Sequence, residues 1–339
     1  MIVRVVPYQP LSLAFGGFEI QMLAAMDAAR SHGVDIAPLD VWSRDANFDV
    51  LHVWGMGSVH NPVVTWARRA GKPVVMTALL PYLEGLQGVK AVVRSHIGAK
   101  ALDRQTATTL SMLVVVNEET CRSAQRLLGI RTDRIAVVPN IVDEVFLETL
   151  PPSPKMEFGV KDFFLCVGNV CRRKNQLSVA KAAASIGAQL LIVGELLPGE
   201  ERYGEDLSKL VAQHAGIVWL RGVAPGSKEL LSAFRQCVGF VLPSFDETQP
   251  ISALEAIAAR KPVLLADRAY ARQKIYRSAC LVDPTSVAAI AEGMQRLMHT
   301  PDAYCPPVKN LSECTKSRVG AVYADIYRQV VDRSPGMTS

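Results

Sequence analysis

The stretch Val238-Gly-Phe-Val-Leu-Pro-Ser-Phe-Asp-Glu-Thr-Gln-Pro-Ile-Ser-Ala-Leu-Glu-Ala-Ile-Ala-Ala-Arg260 decides the fold. Its apolar start, 238–243, predicts a buried strand, and the segment 251–260 predicts a helix. Glu247 therefore lies in the loop after the strand, and Glu255 lies in the first turns of the helix. In α/β sheets ligands bind at this end of a strand, and a helix N-terminus can hold phosphate. Two carboxylates in this place favour a ligand with two polyhydroxylated parts, such as a sugar nucleotide.

Both carboxylates also fit purely structural roles. Ser252 and Glu255 have the spacing of a capping box, in which the serine caps the helix and the glutamate reaches back to its N–H. Glu247 also fits an ordinary solvated acid of a surface loop. The pair by itself leaves the structural and the ligand-binding interpretations open.

A second candidate site follows the strand predicted at 163–167, in the run Gly168-Asn-Val-Cys-Arg-Arg-Lys174. Its glycine lets the backbone approach a ligand closely. Three consecutive cations, Arg172, Arg173 and Lys174, then lead into a helix, although cations oppose the dipole at a helix N-terminus. The run therefore indicates an anionic ligand, such as a diphosphate leaving group. The alternative is a basic helix start that is exposed to water.

Glycines follow three more predicted strands. Gly194 and the pair Gly222-Val223 each come after a buried strand of the second half, where they fit the walls of a nucleotide pocket. Gly16-Gly17 opens the first helix of the chain and fits a turn that faces a cleft. Turn formation alone explains many such glycines.

Short apolar runs alternate with helical patterns in both halves of the chain, which predicts parallel sheets covered by helices. We expect an α/β protein of two Rossmann-like, doubly wound domains that face a cleft. The predicted divisions are an N-terminal domain over 1–150, a proline-rich linker over 151–160, a C-terminal domain over 161–315 and a final helix over 316–332. The predicted strands cover 2–6, 34–38, 50–53, 73–77, 112–116, 135–138, 163–167, 189–193, 217–220, 238–242, 263–265 and 279–282.

The composition of the 339 residues, 49% hydrophobic and 20% charged, suits two packed domains. No apolar run approaches the roughly 20 residues of a membrane span, and the first residues lack the pattern of a signal peptide. Seven cysteines without C-x-x-C spacing are typical of buried thiols in a reducing compartment. We therefore expect a cytoplasmic protein.

The net charge of +5 is unevenly spread, and the segment 60–104 carries seven basic residues against two acidic ones. On a helix, Lys90, Arg94, Lys100 and Arg104 share one sector, which fits peripheral contact with the anionic inner face of a membrane. A solvated surface is the alternative. A nucleic-acid partner is not indicated, because no aromatic and basic recognition motif accompanies the charge.

Several motifs of other chemistries are missing from the sequence. There is no Walker loop, no H-E-x-x-H, no G-x-S-x-G and no D-x-D, so neither a bound metal nor a cofactor is indicated. Gly55-Met-Gly57-Ser-Val-His60 only half matches a dinucleotide fingerprint. His52 and His60 fit structural histidines better than bases or metal ligands.

The remaining motifs are recognisable by their order along the chain: Gly16-Gly17, Asp49-Val-Leu-His52, Pro139-Asn-Ile-Val-Asp143, Gly168 with Lys174-Asn175, Val193-Gly194, Pro243-Ser244, and Glu247 with Glu255-Ala256. In this order they resemble glycosyltransferase family 4, whose members are retaining, metal-independent enzymes of the GT-B fold. The resemblance runs from Ile2 to about Val331 and is strongest over 161–268.

The resemblance implies an N-terminal domain that binds an acceptor, a C-terminal domain that binds a nucleotide-sugar donor, and a final helix that crosses back onto the first domain. It implies that Lys174, with Arg173, stabilises the diphosphate, that Glu247 touches the donor sugar and that Glu255 holds the ribose hydroxyls. The further residues expected at the donor are Gly168, Asn169, Gly194, Gly222, Val223, Thr248, Gln249 and Ile251, and those expected on the acceptor side are Gly16 and Gly17.

Four features depart from the family pattern. Arg260 stands where a glycine is common before a Lys-Pro-Val-like run. Asn169 stands where an arginine is usual, and Leu79 stands where a histidine is common. Thr248-Gln249-Pro250 replaces a glycine-rich loop, and Pro250 has no N–H to donate.

We therefore expect a retaining, metal-independent glycosyltransferase that moves a sugar from a UDP- or GDP-type donor to a glycan or lipid-linked acceptor, without a cofactor. One rival hypothesis is a non-catalytic homologue that binds a nucleotide-sugar or a glycan and partners an active transferase. Another is an epimerase or phosphorylase of the same architecture. A hydride-transfer enzyme is disfavoured because the dinucleotide fingerprint is broken.

Overall fold

A computed structural model describes residues 1–83, 99–147 and 157–333 of the chain. The chain divides into two compact units, one of Met1–Ile141 with Glu313–Ser339 and the other of Val142–Ser312. The division at 141/142 comes before the end predicted for the first domain at 150. Most of the predicted linker, 151–156, lies outside the described residues, as do Lys90, Arg94 and the side chain of Lys100.

The first unit contains a six-stranded sheet in the order β2-β1-β3-β4-β5-β6, and every neighbouring pair is parallel. Helices cover both of its faces, with one apolar cluster on each face. The strands are β1 Ile2–Val6, β2 Asp35–Pro38, β3 Val50–Trp54, β4 Val74–Thr77, β5 Met112–Val115 and β6 Ile135–Val137; the helices are α1 Gly17–Arg30, α2 Asn61–Arg69, α3 Ala99–Thr108 and α4 Glu118–Leu128.

The second unit repeats this plan with a parallel sheet in the order β12-β11-β10-β7-β8-β9. Its strands are β7 Phe164–Val167, β8 Leu190–Val193, β9 Ile217–Leu220, β10 Gly239–Leu242, β11 Val263–Ala266 and β12 Cys280–Val282. Its helices are α5 Glu144–Leu147, α6 Gln176–Ser185, α7 Glu201–Gln213, α8 Lys228–Gln236, α9 Ile251–Ala258 and α10 Val287–His299.

The strands are short apolar runs because parallel sheets are covered on both faces. In β4, β5, β8, β10 and β11 every residue is buried. All twelve predicted strands are present, and each agrees with its predicted bounds to within one residue. The prediction of two doubly wound α/β units is confirmed.

The last helix, α11 Lys316–Asp332, belongs to the first unit, where it packs against α1. A Cβ on Gly320 would overlap the carbonyl oxygen of Ala28, so the glycine allows the two helices to approach closely. Val319, Tyr323 and Tyr327 of α11 lie in the apolar cluster with α1.

The second sheet reverses its strand order between β7 and β10, which are hydrogen-bonded neighbours although the strands β8 and β9 and three helices lie between them in the sequence. A doubly wound sheet binds ligands at such a switch point, beyond the carboxyl ends of the strands. The loops that follow β7 and β10 carry the two candidate sites of the sequence, so the topology brings these loops together.

Candidate functional site

The loop after β7 is fixed by polar side chains at its far end. Asn175 is buried, adopts a left-handed conformation with φ of 64°, and begins α6. Its Nδ2 donates to the carbonyl oxygens of Pro243 (3.2 Å) and Pro284 (2.8 Å). Gln176 Nε2 donates to the carbonyl oxygens of Gly168 (3.3 Å) and Asn169 (3.0 Å). The loop is thereby tied to itself and to the end of β10.

The three cations of this loop form a short 3-10 turn, Arg172–Lys174, and point to different surroundings. Lys174 is 12% exposed, whereas Arg173 is 48% and Arg172 64% exposed. A Cβ on Gly168 would lie 3.2 Å from Lys174 Cε, so the glycine leaves room for the lysine chain. The alternative interpretation, a basic helix start exposed to water, is therefore wrong for Lys174.

Glu247, in the loop after β10, binds two of these cations. Its Oε1 lies 2.7 Å from Lys174 Nζ and 2.9 Å from Arg173 Nη1. Arg173 Nη1 also donates to the carbonyl oxygen of Asp246 at 2.7 Å. The side chain of Glu247 is only 10% exposed, so its interpretation as an ordinary solvated acid is wrong. Burial opposes its ionisation, but Lys174 and Arg173 outweigh burial and hold the pKa of the carboxyl below its usual value.

The start of α9 contradicts the capping-box interpretation. The helix begins at Ile251 with Pro250 as its N-cap, and no side chain caps it. Ser252 lies inside the helix, and its Oγ donates a 3.0 Å hydrogen bond to the carbonyl oxygen of Val167. The serine therefore joins α9 to the end of β7 across the switch point.

Glu255, one turn into α9, has surroundings opposite to those of Glu247. The side chain is partly buried, and burial together with the nearby Asp143 carboxylate raises the pKa of its carboxyl to about 8. The switch point thus contains two carboxyls whose pKa values shift in opposite directions, one lowered by neighbouring cations and one raised by burial.

The glycines predicted to line a nucleotide pocket follow the neighbouring strands β8 and β9. A Cβ on Gly194 would overlap the carbonyl oxygen of Gly168, so these two loops touch through their backbones. Trp219 Nε1 donates to the carbonyl oxygen of Gly194 at 2.8 Å, and the guanidinium of Arg221 stacks 3.9 Å from the Trp219 ring centre. The N–H of Gly222, in the turn Gly222-Val223, donates to the Glu195 carboxylate.

The side chain of Gln273 holds the Thr248-Gln249-Pro250 loop through hydrogen bonds. Gln273 Nε2 donates to the carbonyl oxygens of Thr248 and Tyr270, both at 2.7 Å. Gln249 is 5% exposed, and its Nε2 donates to Gln273 Oε1 at 3.2 Å. The side chain of Gln249 therefore faces the protein.

The residues expected on the acceptor side lie in the first unit. Gly16 precedes α1 and donates its N–H to Glu19 Oε2 at 2.9 Å, and Gly17 is the first residue of that helix. The broken dinucleotide fingerprint also has a packing role, because a Cβ on Gly55 would lie 2.6 Å from the Tyr8 ring.

His52 and His60 are structural, as predicted. His52 is fully buried, bonded to Tyr327 Oη (2.7 Å) and Thr77 Oγ1 (2.9 Å), and burial lowers its pKa to about 3. His60 Nε2 lies 3.2 Å from the carbonyl oxygen of Trp54, and burial lowers its pKa too.

Within residues 1–83, 99–147 and 157–333, no three His, Cys, Asp or Glu side chains are grouped to hold a metal ion. Over the same ranges, none of the helices combines the length and the apolar character that crossing a bilayer requires.

Sequence reasoning missed Asn175 and Gln273 as supports of the site. A signal existed for Asn175, since asparagine tolerates the left-handed conformation and often begins or ends a helix. No local sequence pattern indicated Gln273, because its contact with Thr248 joins two separate segments of the chain.

Two protein-family models match the chain. The model described as glycosyl transferases group 1 matches residues 161–300, and the model described as glycosyltransferase family 4 matches residues 25–146. The two stretches together make up most of the chain; 161–300 lies in the second structural unit, and 25–146 lies in the first except for its last five residues.

One curated relative is D-inositol 3-phosphate glycosyltransferase of Pseudarthrobacter chlorophenolicus. It is 29% identical over 226 residues, which are 61% of this chain and 53% of the relative. The alignment therefore spans about half of the relative's length.

Solved structures match nearly the whole chain. Sucrose-phosphate synthase of Thermosynechococcus elongatus has a TM-score of 0.74 at 15% identity, over 98% of this chain and 99% of that one. HepE of Anabaena, solved with UDP-glucose, has a TM-score of 0.69 at 14% identity, over 98% of both chains. At such identities the likeness concerns the fold.

Proposed function

This chain belongs to glycosyltransferase family 4, with the two doubly wound domains of the GT-B fold, and on that premise we propose that it transfers a sugar from a nucleotide-sugar donor to an acceptor hydroxyl in glycan or glycolipid synthesis. The observation that carries the proposal is the cluster of Lys174, Arg173 and Glu247 at the switch point of the second sheet.

Sugar transfer requires stabilisation of a departing nucleoside diphosphate. Lys174 supplies a point charge and Arg173 a planar set of donors, and both are held by the protein before the ligand arrives. Preorganised charge of this kind stabilises a developing anion in the transition state. Since two cations supply the charge, we propose that transfer does not depend on a divalent metal.

We propose that transfer retains the configuration of the sugar. Glu247 is held against two cations and does not face the reaction as a free nucleophile. The leaving diphosphate then serves as the base that accepts the acceptor's proton, while Lys174 and Arg173 bind the diphosphate oxygens. Glu255 is proposed to hold the ribose hydroxyls, and Gly168, Gly194 and Gly222 to admit the nucleotide close to the backbone.

We propose a UDP- or GDP-type donor, in keeping with the UDP-glucose complex of HepE. The acceptor is proposed to be a glycan or a lipid-linked glycan bound by the first unit near Gly16 and Gly17. No cofactor is proposed beyond the donor.

A peripheral place at the cytoplasmic face of a membrane is part of the proposal. On α2 the exposed Trp66, 65% accessible, precedes Arg68 and Arg69, which combines an interfacial aromatic side chain with charges that attract anionic lipid. Sedimentation with anionic vesicles at low salt tests this part, and a protein that stays in the supernatant contradicts it.

A non-catalytic homologue is the second candidate. It is favoured by Pro250, which is the N-cap of α9 and has no N–H for a phosphate, and by the inward-facing Gln249. Donor binding without turnover on any acceptor pool, together with activation of a partner enzyme, would support this candidate. NMR of the product separates transfer from epimerisation, which needs no acceptor, and from phosphorolysis, which needs phosphate.

Calorimetry with UDP, GDP, ADP and their sugar conjugates, without metal, tests the donor site. One nucleotide should bind best, and Glu255→Ala should weaken it. Lys174→Ala should then lower the transfer rate about 100-fold, the loss of roughly 3 kcal/mol of transition-state stabilisation. Lys181→Ala removes an exposed lysine of α6 and should leave the rate unchanged. Near-normal rates in Lys174→Ala and Glu255→Ala together would overturn the site assignment.

A further inference from the structure

The anion site of the second unit already contains an anion that belongs to the chain itself. Glu247 Oε1 contacts both Lys174 Nζ, at 2.7 Å, and Arg173 Nη1, at 2.9 Å. Lys174 and Glu247 are 12% and 10% exposed, so water screens this ion pair poorly. A diphosphate that approaches Lys174 meets a lysine whose charge is already paired.

The backbone keeps this carboxylate aimed at the cations. The N–H of Phe245 donates to the carbonyl oxygen of Arg173 at 2.8 Å, and Arg173 Nη1 donates to the carbonyl oxygen of Asp246 at 2.7 Å. These bonds tie the turn after β7 to the loop after β10 on both sides of the ion pair. The pairing is therefore a built feature of the loops.

We propose that Glu247 is an internal counter-ion that competes with a bound diphosphate for Lys174, so that the enzyme holds its nucleoside diphosphate product weakly and favours the intact donor. This inference rests on the proposed function, since it concerns the ligand of that same site.

The preference for the donor follows from what Glu247 can bind after it leaves Lys174. A buried carboxylate without partners is costly. The donor brings sugar hydroxyls that donate to the displaced carboxylate. The product has lost the sugar. It therefore displaces Glu247 from Lys174 without supplying a hydroxyl that could donate a hydrogen bond to the carboxylate. Replacing Glu247 by a neutral side chain should therefore strengthen binding of the diphosphate product and leave binding of the nucleotide-sugar donor no stronger.

The test compares wild type with Glu247→Gln, which keeps the shape and removes the charge. Calorimetry uses UDP, GDP and their glucose and mannose conjugates. The variant should bind the diphosphate that binds wild type about tenfold more tightly, a gain of about 1.4 kcal/mol, because the diphosphate no longer competes with a carboxylate for Lys174. The matching sugar conjugate should bind no more tightly than to wild type.

Asp246→Asn is the matched control, because it removes one negative charge from the same loop and leaves the Lys174–Glu247 contact intact. It should change the affinity for the diphosphate less than threefold. In a Lys174→Met background, Glu247→Gln should lose most of its effect, as a double-mutant cycle requires for a direct contact.

The outcomes separate the two proposals. A wild type that binds a nucleoside diphosphate, with equal or weaker binding by Glu247→Gln, overturns the counter-ion and leaves the donor site standing. Equal tightening by Asp246→Asn overturns it as well, because general electrostatics would then explain the gain. A wild type that binds none of the diphosphates or conjugates counts against the proposed function itself. Should Glu247→Gln not fold, Glu247→Ala, which admits water to Lys174, carries the same expectation.

Discussion

His52 in β3 and Tyr327 in α11 are joined by a buried hydrogen bond of 2.7 Å. The second ring nitrogen of His52 bonds Thr77 Oγ1 of β4 at 2.9 Å, and that hydroxyl lies 3.3 Å from Tyr323 Oη. The last helix is therefore attached to the middle of the first sheet by polar contacts as well as apolar ones. This network is expected to make the stability of the first unit depend on pH.

Acidification should destabilise the protein through His52. Burial lowers the pKa of His52 to about 3, whereas an unfolded chain has a histidine pKa near 6.5. Below about pH 6.5 the unfolded state binds a proton that the folded state excludes, so stability is lost as the pH falls, by at most about 1.4 kcal/mol per pH unit. Thermal unfolding at pH 7.5 and 5.5 should show a larger fall in Tm for wild type than for His52→Gln. His299→Gln, at an exposed site, should follow wild type; parallel pH slopes in all three proteins would contradict the assignment.

Glu255 should act in the opposite direction. Burial and the Asp143 charge raise the pKa of its carboxyl to about 8, so between about pH 4.5 and 8 the unfolded chain has released a proton that the folded chain keeps. The contribution of Glu255 to stability therefore falls as the pH rises through this window. We expect Glu255→Gln to gain about 1 kcal/mol or more over wild type between pH 5.5 and pH 8 in denaturant unfolding. Glu292→Gln, on the exposed face of α10, should gain nothing, and an equal gain there would refute the explanation.

Strands were predictable from the sequence for a physical reason that the site does not share. Phe240, Val241 and Leu242 are completely buried between two helical layers, so an apolar run is the only sequence that such a strand tolerates. The pairing of Lys174 with Glu247 depends instead on β7 lying beside β10, which no local pattern specifies.

Ser252 shows how a local motif misleads when tertiary contacts compete with it. Its spacing to Glu255 matches a capping box, but the helix begins at Ile251, and its N-cap is Pro250, two residues before Ser252. The hydroxyl is then free to reach the Val167 carbonyl in another strand. The resemblance to a known family singled out Glu247 and Glu255 as expected site residues, but it did not indicate that the pKa values of their carboxyls shift in opposite directions.

Close approach of two loops makes Gly194 sensitive to a single methyl group. Gly194→Ala would place a Cβ against the Gly168 carbonyl, at a φ of 152° that side chains rarely adopt. We expect a loss of stability of about 2 kcal/mol or more and a loss of donor binding. Gly187→Ala also places a side chain at positive φ, here 66° in the milder left-handed region, and nothing lies within 4 Å of its Cβ. It should cost about 1 kcal/mol and leave donor binding unchanged. Equal effects of the two substitutions, measured by thermal unfolding and calorimetry, would rule out the contact with Gly168 as the cause.

Gln273 should affect kcat indirectly, by holding the loop that precedes α9 in place. Its amide donates to Thr248 and Tyr270 and accepts from Gln249, so it fixes the backbone that follows Glu247. We expect Gln273→Glu, which keeps the size and loses both N–H donors, to lower kcat about tenfold, since losing two hydrogen bonds of about 1 kcal/mol each frees the loop.

The kinetic pattern separates positioning from packing. Gln213→Ala, at an exposed site of α7, serves as the control and should match wild type. A positioning role lowers kcat at saturating donor even where the Tm of Gln273→Glu stays within a few degrees of wild type. A variant with a reduced Tm and normal kcat and KM would show that Gln273 only supports the fold.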